Sequence, residues 1–377
     1  MEKAIHLFDD PKITQNLRPI SYIRSLAEHW IGLSKIHEKW SAATNAKISW
    51  GAAEKQPNAL HILGSVLPSQ ELIQELENLP EQTNLFFQGQ LIAFRGLVVP
   101  SADWNTINSQ ANPVFFSKFE DLLSLNAALL KKEIKPNKFD QNHLKENGNI
   151  LIHPENCFID ATADLKGSIL DASQGPIYIG KNSEIMEGSL IRGPFALCEY
   201  GQVKMGAKIY GATTIGPHCK VGGEVNNVVF EAYSNKSHDG FLGNGYIGSW
   251  CNIGADTNAS NLMNNYGIVD VHDYETGKTT SSGEQFVGLH MGDHSKCGIN
   301  TMFNTGTAIG VGCNVYGPGF FKKHIPSFSF GEPTRLFPYR FDKALEGIES
   351  MMSRRGKTLS EGELKILKHI YSFRESF

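Results

Sequence analysis

The sequence predicts an N-terminal α/β domain, a parallel β-helix and a C-terminal helical tail. The β-helix follows from aliphatic residues that recur at six-residue intervals through the middle of the chain: Ile179, Ile185, Ile191, Leu197, Val203, Ile209, Ile215 and Val221. Neither an α-helix of period 3.6 nor an alternating strand needs this spacing, whereas short repeats build the narrow faces of a β-helix. The residue four places after each aliphatic is small in seven of the eight cases, which suits a narrow interior.

The repeat breaks twice. It resumes at Phe241, Ile247 and Ile253, and again from Met291 to Val315, with a shift of two residues at each restart. We therefore expect an insertion at both breaks. Long loops inside a compact fold are uncommon unless they are functional, so the breaks are where we expect functional residues.

The spacing of motifs predicts three units, over residues 1–148, 149–335 and 336–377. In the first unit we expect strands at 4–8 and 60–63, helices at 21–40, 71–79 (after an N-cap at Ser69) and 119–132, a hairpin at 84–98, and a loose polar linker at 135–149. The tail contains two helical patterns, and the second opens with a capping box of Ser360 and Glu363. Because the end coils of a β-helix expose unpaired strands, we expect the two flanking units to cap them.

Composition excludes several classes of partner. The formal net charge of −4, from 35 basic and 39 acidic residues, does not favour nucleic acid or an anionic membrane. No apolar run approaches the roughly 18 residues of a membrane span, and the opening MEKAIHLFDDPK is not a secretory signal. The six cysteines have no C-x-x-C spacing, so we expect reduced core residues and a cytoplasmic protein.

The first break contains His238, three residues before Phe241, where side chains should point out of the prism. An exposed histidine titrates near neutrality and suits a general base, although a solvated surface histidine would have the same spacing. The second break, 257–285, supplies uncharged amide groups at Asn258, Asn261, Asn264 and Asn265 for a polar ligand. The alternative is that this segment is an insertion without a functional role.

We expect no metal site in the β-helix. His290 and His294 are four residues apart, which is a helical spacing, and residues four apart do not share a face when the period is six. Zinc is therefore disfavoured.

Residues 175–330 resemble the acetyltransferase half of the bifunctional uridyltransferase/glucosamine-1-phosphate acetyltransferases that make UDP-N-acetylglucosamine. The motifs that carry the resemblance are GPFALCEYG (193–201), GGEV (222–225), SHDGFLGNGYIGSWCNIGAD (237–256) and SNL (260–262). The whole chain is similar to the shortened Bacteroidetes-type form of these enzymes, through LFDDPKITQNLRPISYIRSLAEHWIG, ILGSVLPSQELI and MGDHSKCGINTMFNTGT.

The resemblance implies a left-handed β-helix, acetyl-CoA as the acyl donor and a homotrimer. It implies that His238 is the general base that deprotonates the sugar amine. Asn252 would contact the amino sugar and Asn261 the junction between the sugar and acetyl-CoA. The candidates for further contacts to acetyl-CoA are Asn264, Asn265 and Tyr266.

Some positions depart from the family pattern. Glu199 and Asn226 stand where the family has a phosphate-binding arginine and lysine, and Phe241 replaces a tyrosine. A phosphate binds weakly without charged partners. Either a nearby cation replaces them, or the acceptor is not a simple sugar 1-phosphate. The candidate cations are Lys236, Arg192 and Lys278.

The N-terminal unit resembles a reduced nucleotidyltransferase domain. Its first loop, LFDDPKITQNLRP, lacks the glycines that cradle a triphosphate, so Arg18 and Arg24 are the candidate phosphate ligands. Ser65 stands where the family has an aspartate for Mg²⁺, and Mg²⁺ is expected only if this domain is active. The alternatives are active uridylyl transfer from UTP and a degenerate cap or sugar-nucleotide-binding domain.

The resulting hypothesis is a homotrimeric, cytoplasmic N-acetyltransferase that uses acetyl-CoA and an amino-sugar phosphate, with glucosamine 1-phosphate as the first candidate. One alternative is an acyltransferase that modifies a nucleotide-linked amino sugar with an inactive N-terminal domain. The other is a non-catalytic sugar-nucleotide-binding protein.

Overall fold

The computed structural model describes residues 4–51, 59–96 and 99–373. Its architecture confirms the predicted fold class: an α/β domain, a β-solenoid of parallel strands and a helical tail. The last two residues of the predicted 84–98 hairpin lie outside the described residues. Within the described residues, none of the helices is both long and apolar enough to cross a bilayer.

The N-terminal domain is a mixed sheet in the order β4-β1-β5-β7-β6-β8 with helices packed on it. Its strands are β1 (Ala4–Phe8), β2 (Trp30–Ile31), β3 (Ser34–Lys35), β4 (Lys47–Trp50), β5 (Leu60–Leu63), β6 (Thr83–Phe87), β7 (Gln90–Arg95) and β8 (Asn105–Asn108). Its helices are α1 (Pro11–Asn16), a 3₁₀ turn at Leu26–Glu28, α2 (Ile36–Thr44), α3 (Gln70–Glu77) and α4 (Phe119–Glu133). The strands predicted at 4–8 and 60–63 and the helices after Ser69 and near 119–132 are confirmed.

The helix predicted over residues 21–40 is wrong. This segment contains the 3₁₀ turn, the hairpin of β2 and β3, and only the first half of α2. Gly32 turns the hairpin with a φ of +66°, and a Cβ there would lie 2.9 Å from the Cβ of Leu129 on α4. Its N–H donates to the side chain of Asn126 at 2.8 Å. Tertiary packing against α4 therefore overrides a locally helical pattern.

The linker predicted to be loose is also ordered. It contains α5 (Gln141–Glu146), which begins at an Asp140 N-cap whose carboxylate accepts from two helix N–H groups. Leu144 on α5 is buried in the core of the β-helix together with Cys157 and Leu165. The linker thus covers the first coil, so α5 rather than the whole N-terminal domain caps that end.

The β-helix has three faces of parallel strands. The first face contains β9 (Ile150–Ile152), β12 (Ile169–Asp171), β15 (Leu190–Arg192), β18 (Lys208–Tyr210), the first halves of β21 (Glu224–Phe230) and β23 (Phe241–Ile247), β25 (Asn258–Ala259) and β30 (Met302–Phe303). The second face contains β10 (Cys157–Ile159), β13 (Ile177–Ile179), β16 (Phe195–Leu197), β19 (Thr213–Ile215), the second halves of β21 and β23, β28 (His290–Met291), β31 (Ala308–Ile309) and β33 (His324–Ile325).

The third face completes each coil. It contains β11 (Asp164–Leu165), β14 (Glu184–Ile185), β17 (Gln202–Val203), β20 (Lys220–Val221), β22 (Asn235–Lys236), β24 (Asn252–Ile253), β29 (Lys296–Cys297), β32 (Asn314–Val315) and β34 (Ser329–Glu332), and ends at the antiparallel β35 (Arg335–Pro338). The six cysteines are buried and free. This agrees with their expected role as small core residues.

The register explains the first break in the repeat. Ile185, Val203 and Val221 pair in successive coils 18 residues apart. The next partner of Val221 is Lys236, only 15 residues later. The coil is therefore shortened by three residues, and the expected insertion at this break is wrong. Two of these residues are lost in the turn between the third and first faces, where Val221 and Glu224 are three apart but their partners Val203 and Lys208 are five apart. The third is lost where β21 runs across the corner between the first and second faces without a turn.

The shortening also changes which residue faces inward at the restart. Leu242 pairs with the interior Val225 and is buried, whereas Phe241 pairs with the outward Glu224. The interior position is therefore Leu242, not Phe241.

The second break is a true insertion. It contains the hairpin of β26 (Asp270–Asp273) and β27 (Lys278–Ser281). The hairpin packs on its own chain: Gln15 donates to the carbonyl of Tyr274 at 2.9 Å, and the rings of His272 and His324 stack at 3.8 Å. It therefore connects the β-helix to the N-terminal domain.

The N-terminal domain covers the second face of the β-helix along its side. Val229 and Tyr246 of that face belong to the core of the N-terminal domain. Asn126 on α4 donates to the carbonyl of Ala212 at 3.0 Å and accepts from the hydroxyl of Thr214 at 3.0 Å. The expectation that this domain caps an end of the β-helix is therefore wrong.

The tail helices α6 (Phe341–Ser353) and α7 (Glu361–Ser372) pack on the corner between the second and third faces. Ser360 and Glu363 form the predicted capping box at the start of α7. Along this corner four rings stack at 4.2 to 4.8 Å: Tyr200, His218, Tyr233 and Trp250. Trp250 lies under the tail, whereas Tyr200 is exposed.

A buried ionic network joins the two domains. Arg24 lies 2.6 Å from a carboxylate oxygen of Asp293 and 3.8 Å from Glu231. Glu231 also accepts from the hydroxyl of Tyr246 and, at 3.1 Å, from the N–H of Trp30. Burial alone would raise the pKa of Glu231, but Arg24, the nearby ring of His29 and the hydrogen bond from Tyr246 lower it to about 2. Charged side chains of both domains therefore hold the interface.

We expect acid to destabilise the fold through its buried histidines. Burial lowers the pKa of both His290 and His294 to about 3. An unfolded histidine has a pKa of about 6.5, so the unfolded state binds protons first. The stabilisation is complete above pH ~6.5 and is lost as the pH falls towards 3, by up to about 1.4 kcal/mol per pH unit for each histidine.

Melting temperatures measured from pH 7.5 to 4.5 check this. His294→Asn should flatten the profile, because asparagine tolerates the φ of +61° at that corner. His153→Asn is the matched control, since His153 has a φ of +54° but an exposed side chain. An equal flattening in both variants would contradict the prediction.

Candidate active site

His238 lies at the corner between the third and first faces, in the turn that joins β22 to β23. Its side chain is exposed, as the spacing predicts. The turn is packed closely between two coils. Gly223 below it has a φ of +70°, and a Cβ there would lie 2.8 Å from the carbonyl oxygen of His238. Gly240 in the same turn has a φ of +112° and approaches the backbone of Thr257 in the next coil. The backbone at His238 is therefore tightly constrained.

Lys236 was predicted to contact the substrate, but the structure places its side chain inside the prism. It is 1% exposed, and its ammonium donates to the carbonyl oxygens of Gly222 at 3.0 Å and His238 at 2.9 Å. Burial lowers the pKa of Lys236 to about 8. A buried ammonium that already donates to two carbonyls does not reach a ligand outside the prism.

Asn252 lies on the outer surface of the third face, next to the corner of His238. Asn235 donates to the Asn252 side-chain oxygen at 2.8 Å, and the hydroxyl of Ser237 donates to Asn235 at 2.5 Å. The side chains of Asn252, Asn235 and Ser237 therefore form a hydrogen-bonded row. Its last member, Ser237, directly precedes His238 in the sequence. Asn235 and Ser237 were not singled out from the sequence, although each lies within three residues of His238.

Asn261 follows β25 at the other edge of the first face. It is 8% exposed, and its amide donates to the side chain of Asn244 at 2.7 Å. The predicted contacts for acetyl-CoA beside it, Asn264, Asn265 and Tyr266, are exposed, and Tyr266 is 70% exposed. Within one chain, Asn261 and His238 therefore lie at different corners of the prism.

Arg192 is also remote from His238. It lies on β15, and β18 and β21 separate that strand from β23. Three ladder spacings correspond to roughly 14 Å along the prism. Its nearest carboxylate is Asp171 at 3.6 Å. Arg192 and His238 of one chain therefore do not form one site.

The structure separates the two arginines predicted to bind a triphosphate. Arg24 is buried in the ionic network with Asp293 and Glu231, so it is not available to a nucleotide, and its assignment as a phosphate ligand is corrected. Arg18 lies over the ring of Tyr22 and lines a cavity of about 200 Å³ between the N-terminal domain and the insertion hairpin. Arg18 therefore remains a candidate.

The residues present do not fit a Mg²⁺ site at the predicted position. Ser65 is fully buried. In the part of the chain that the structure describes, no three His, Cys, Asp or Glu side chains converge into a group that could hold a metal. The ring of His290 stacks on that of Phe119, with 3.2 Å between the ring centroids.

The N-terminal domain has a second cavity that sequence reasoning missed. It has a volume of about 540 Å³ and lies between α2, α4 and the segments that follow β5 and β8. Apolar side chains line most of it, and its polar groups include Ser69, Asn112 and Lys132. Ligands of open α/β sheets bind outside the carboxyl ends of the strands, which is where this cavity opens. No local motif marks it, because its walls come from distant segments.

Comparisons with known proteins match parts of the chain. Residues 5–140 match the family model of sugar nucleotidyl transferases. The bifunctional protein GlmU of Rippkaea orientalis is 29% identical over 201 residues, which are 46% of this chain and 44% of that protein. The GlmU protein of Trichormus variabilis is 28% identical over 172 residues, 39% of this chain and 37% of that protein. Parts of this chain are therefore similar to sugar nucleotidyl transferases and to GlmU proteins.

The chain spans less than half the length of these curated relatives. An uncharacterized acetyltransferase of Escherichia coli, YaiX, is also 24% identical over 164 residues, 43% of this chain and 70% of that protein. The family model and these relatives are thus of the nucleotidyl- or acyltransferase kind.

Solved structures give a weaker likeness. AntD, an N-acyltransferase from Bacillus cereus in complex with dTDP and 3-hydroxybutyryl-CoA, is 14% identical, with a TM-score of 0.26, over 58% of this chain and 98% of that chain. The fold of the chain is therefore assigned from the strand pairing in its own structure and not from these structures.

Proposed function

We propose that this chain is an acetyl-CoA-dependent N-acetyltransferase that acts on the amine of an amino-sugar phosphate. The observation that carries the proposal is the exposed His238 in a tightly packed turn of a β-helix, next to a row of amide and hydroxyl groups. The GlmU relatives support it. Acetyl-CoA as the donor and six free cysteines suit a cytoplasmic protein.

In the proposed reaction, the amine nitrogen attacks the thioester carbonyl of acetyl-CoA. An ammonium has no lone pair and cannot attack, so the imidazole of His238 accepts a proton from the amine as the new C–N bond forms. The C–S bond then breaks, and coenzyme A leaves as the thiol or thiolate. A positioned general base contributes about 10²–10⁴-fold to such a step. Asn252 is proposed to hold the sugar beside the base, and Asn261 to hold the junction with acetyl-CoA.

The acceptor differs from the family's in how its phosphate is held. Glu199 is exposed at the corner between the second and third faces, and Asn226 lies on the first face, so neither position supplies a cation. Lys236 is occupied inside the prism. Within one chain, a phosphate beside His238 therefore lacks the cations that the family uses. This favours a nucleotide-linked amino sugar, in which the sugar phosphate is not a terminal monoester, as the second candidate.

One assay separates these acceptors. The protein is incubated with acetyl-CoA and either glucosamine 1-phosphate or a UDP-linked amino sugar, and the products are identified by mass. Acetylated product from either acceptor, with release of coenzyme A, supports acetyl transfer and identifies the acceptor. Binding of the sugar nucleotide without any turnover would instead support a non-catalytic binding protein.

We also propose that the chain acts as a homotrimer. The first face of the β-helix carries exposed apolar side chains at both ends, with Ile150, Ile152 and Leu190 at one end and Phe320 at the other. Such a surface is typical of a protein interface. In a trimer of prisms packed side by side, the corner of Asn261 of one chain could also approach His238 of another. A monomer in light scattering at micromolar concentration would contradict this.

For the N-terminal domain, the match over residues 5–140 favours a nucleotide-binding role, and we propose that Arg18 binds the triphosphate of UTP. Binding that depends on an exposed cation should weaken steeply with salt, because charges are screened within about 10 Å at 0.1 M ionic strength. We expect Arg18→Ala to abolish binding of UTP, measured by isothermal titration calorimetry at low and moderate salt, and to leave acetyl transfer intact.

Lys132→Ala is the matched control, because Lys132 is an exposed cation that lines the other, larger cavity. If Lys132→Ala loses UTP and Arg18→Ala keeps it, the nucleotide site lies in the larger cavity. If wild-type protein gives no heat at either salt concentration, the domain covers the β-helix and binds no UTP.

A further inference from the structure

One interior position of the β-helix holds a charged residue. Val221, Lys236 and Ile253 occupy the same inward position in three successive coils of the third face. The two aliphatic residues are buried, as is usual there, but the lysine is 1% exposed. Burying an ammonium is costly unless it is compensated by hydrogen bonds. An aliphatic side chain would fit the position equally well, so stability alone does not explain the lysine.

The compensation comes from two carbonyl groups in neighbouring turns. The Lys236 ammonium donates to the carbonyl oxygen of Gly222 in the coil below and to that of His238 in its own coil. Burial lowers the pKa of Lys236, while Asp239 and Asp256 partly oppose this shift. The ammonium therefore connects two turns from inside the prism.

The turn below leaves just enough room for this contact. A Cβ on Gly223 would lie 2.9 Å from the Lys236 ammonium nitrogen as well as 2.8 Å from the His238 oxygen. The glycines of the GGEV motif thus allow the two turns and the ammonium to approach one another. The coil is also shortened by three residues at this point, which brings Lys236 into register with Val221.

We propose that Lys236 is a positioning residue that fixes the backbone of His238 and so directs the imidazole toward the acceptor amine. This inference rests on the proposed acetyltransferase function. It differs from a contact between Lys236 and a substrate phosphate, because the ammonium acts on the turn from inside. It also differs from a purely structural role, because the fixed group is the proposed general base.

The test replaces the ammonium by an apolar group of similar length. In Lys236→Met, we expect kcat for acetyl transfer to fall 10- to 100-fold, since small displacements of a reacting group are known to cost this much. KM for both substrates should change less than about twofold, because no substrate contact is removed. The melting temperature should stay equal or rise, because apolar replacements of buried charges are often neutral or stabilising.

A second readout does not depend on turnover. In Lys236→Met, the amides of residues 237–240 should exchange hydrogen faster than in the wild type, measured by mass spectrometry of peptides from the folded protein. Ile253→Met is the matched control, since it makes a conservative change at the corresponding interior position of the next coil. It should leave both kcat and exchange unchanged.

Three outcomes overturn the inference: unchanged exchange at 237–240 in Lys236→Met, an equal effect in Ile253→Met, or a raised KM with kcat preserved. The last would place Lys236 on the substrate phosphate. The proposed function is tested separately with the wild-type protein. If the wild type transfers no acetyl group, the proposed function is wrong. In that case faster exchange in Lys236→Met would still support the fixing of the turn.

Discussion

His238→Ala should lower kcat for acetyl transfer by about two to four orders of magnitude, which is the usual contribution of a general base. The fold and the assembly should survive, because the side chain is exposed and lies outside the core. Steady-state kinetics with saturating acetyl-CoA, together with the melting temperature, check the prediction.

Ser237→Ala is a useful companion variant. Ser237 precedes His238 and donates to Asn235, so its loss changes the neighbouring polar row without removing the base. We expect a much smaller effect on kcat. Near-wild-type turnover in His238→Ala would show that another group accepts the proton.

Arg24→Met should be strongly destabilising, by about 3–5 kcal/mol, which is typical when one partner of a buried ion pair is removed. The substitution leaves Asp293 and Glu231 buried at the domain interface without their cation, and both are nearly inaccessible to solvent. Denaturation by urea measures the loss. If the interface opens first, limited proteolysis should cut the chain between the two domains.

Two further variants make the test specific. Arg18→Met removes a cation from the same segment that is only half buried, and it should change stability little. Adding Asp293→Asn to Arg24→Met should restore part of the lost stability, because it removes one of the uncompensated charges. Wild-type stability in Arg24→Met would show that the network does not hold the domains together.

The β-helix could be predicted from the sequence because its repeat is only six residues long and is therefore visible in short segments. Each six-residue repeat places one aliphatic residue inside, and Ile185, Val203 and Val221 pair as the spacing predicts. The exposure of His238 was also predicted correctly. Its neighbours Asn235 and Ser237 were not singled out, because a polar residue on an outward position carries no further signal.

The predictions that were wrong concern residues whose environment is set by contacts with residues distant in the sequence. Arg24 and Asp293 are 269 residues apart, so no motif around Arg24 indicates that its charge is already paired. The three residues missing from the coil after Val221 shift the count, so Lys236 looks like an outward residue when it is counted from Phe241. Gly32 looks like an interruption of a helix until α4 is known to lie against it.

The lateral packing of the N-terminal domain makes the two halves of the chain a single folding unit. A fragment beginning near residue 149 would expose Val229 and Tyr246, and would leave Glu231 and Asp293 without Arg24. Such a fragment would tend to aggregate. Activity measured on the isolated halves would therefore not report the activity of either half in the full chain. For the same reason, an N-terminal domain without any nucleotide chemistry would still have a role, because it covers the second face of the β-helix and supplies Arg24 to its buried carboxylates.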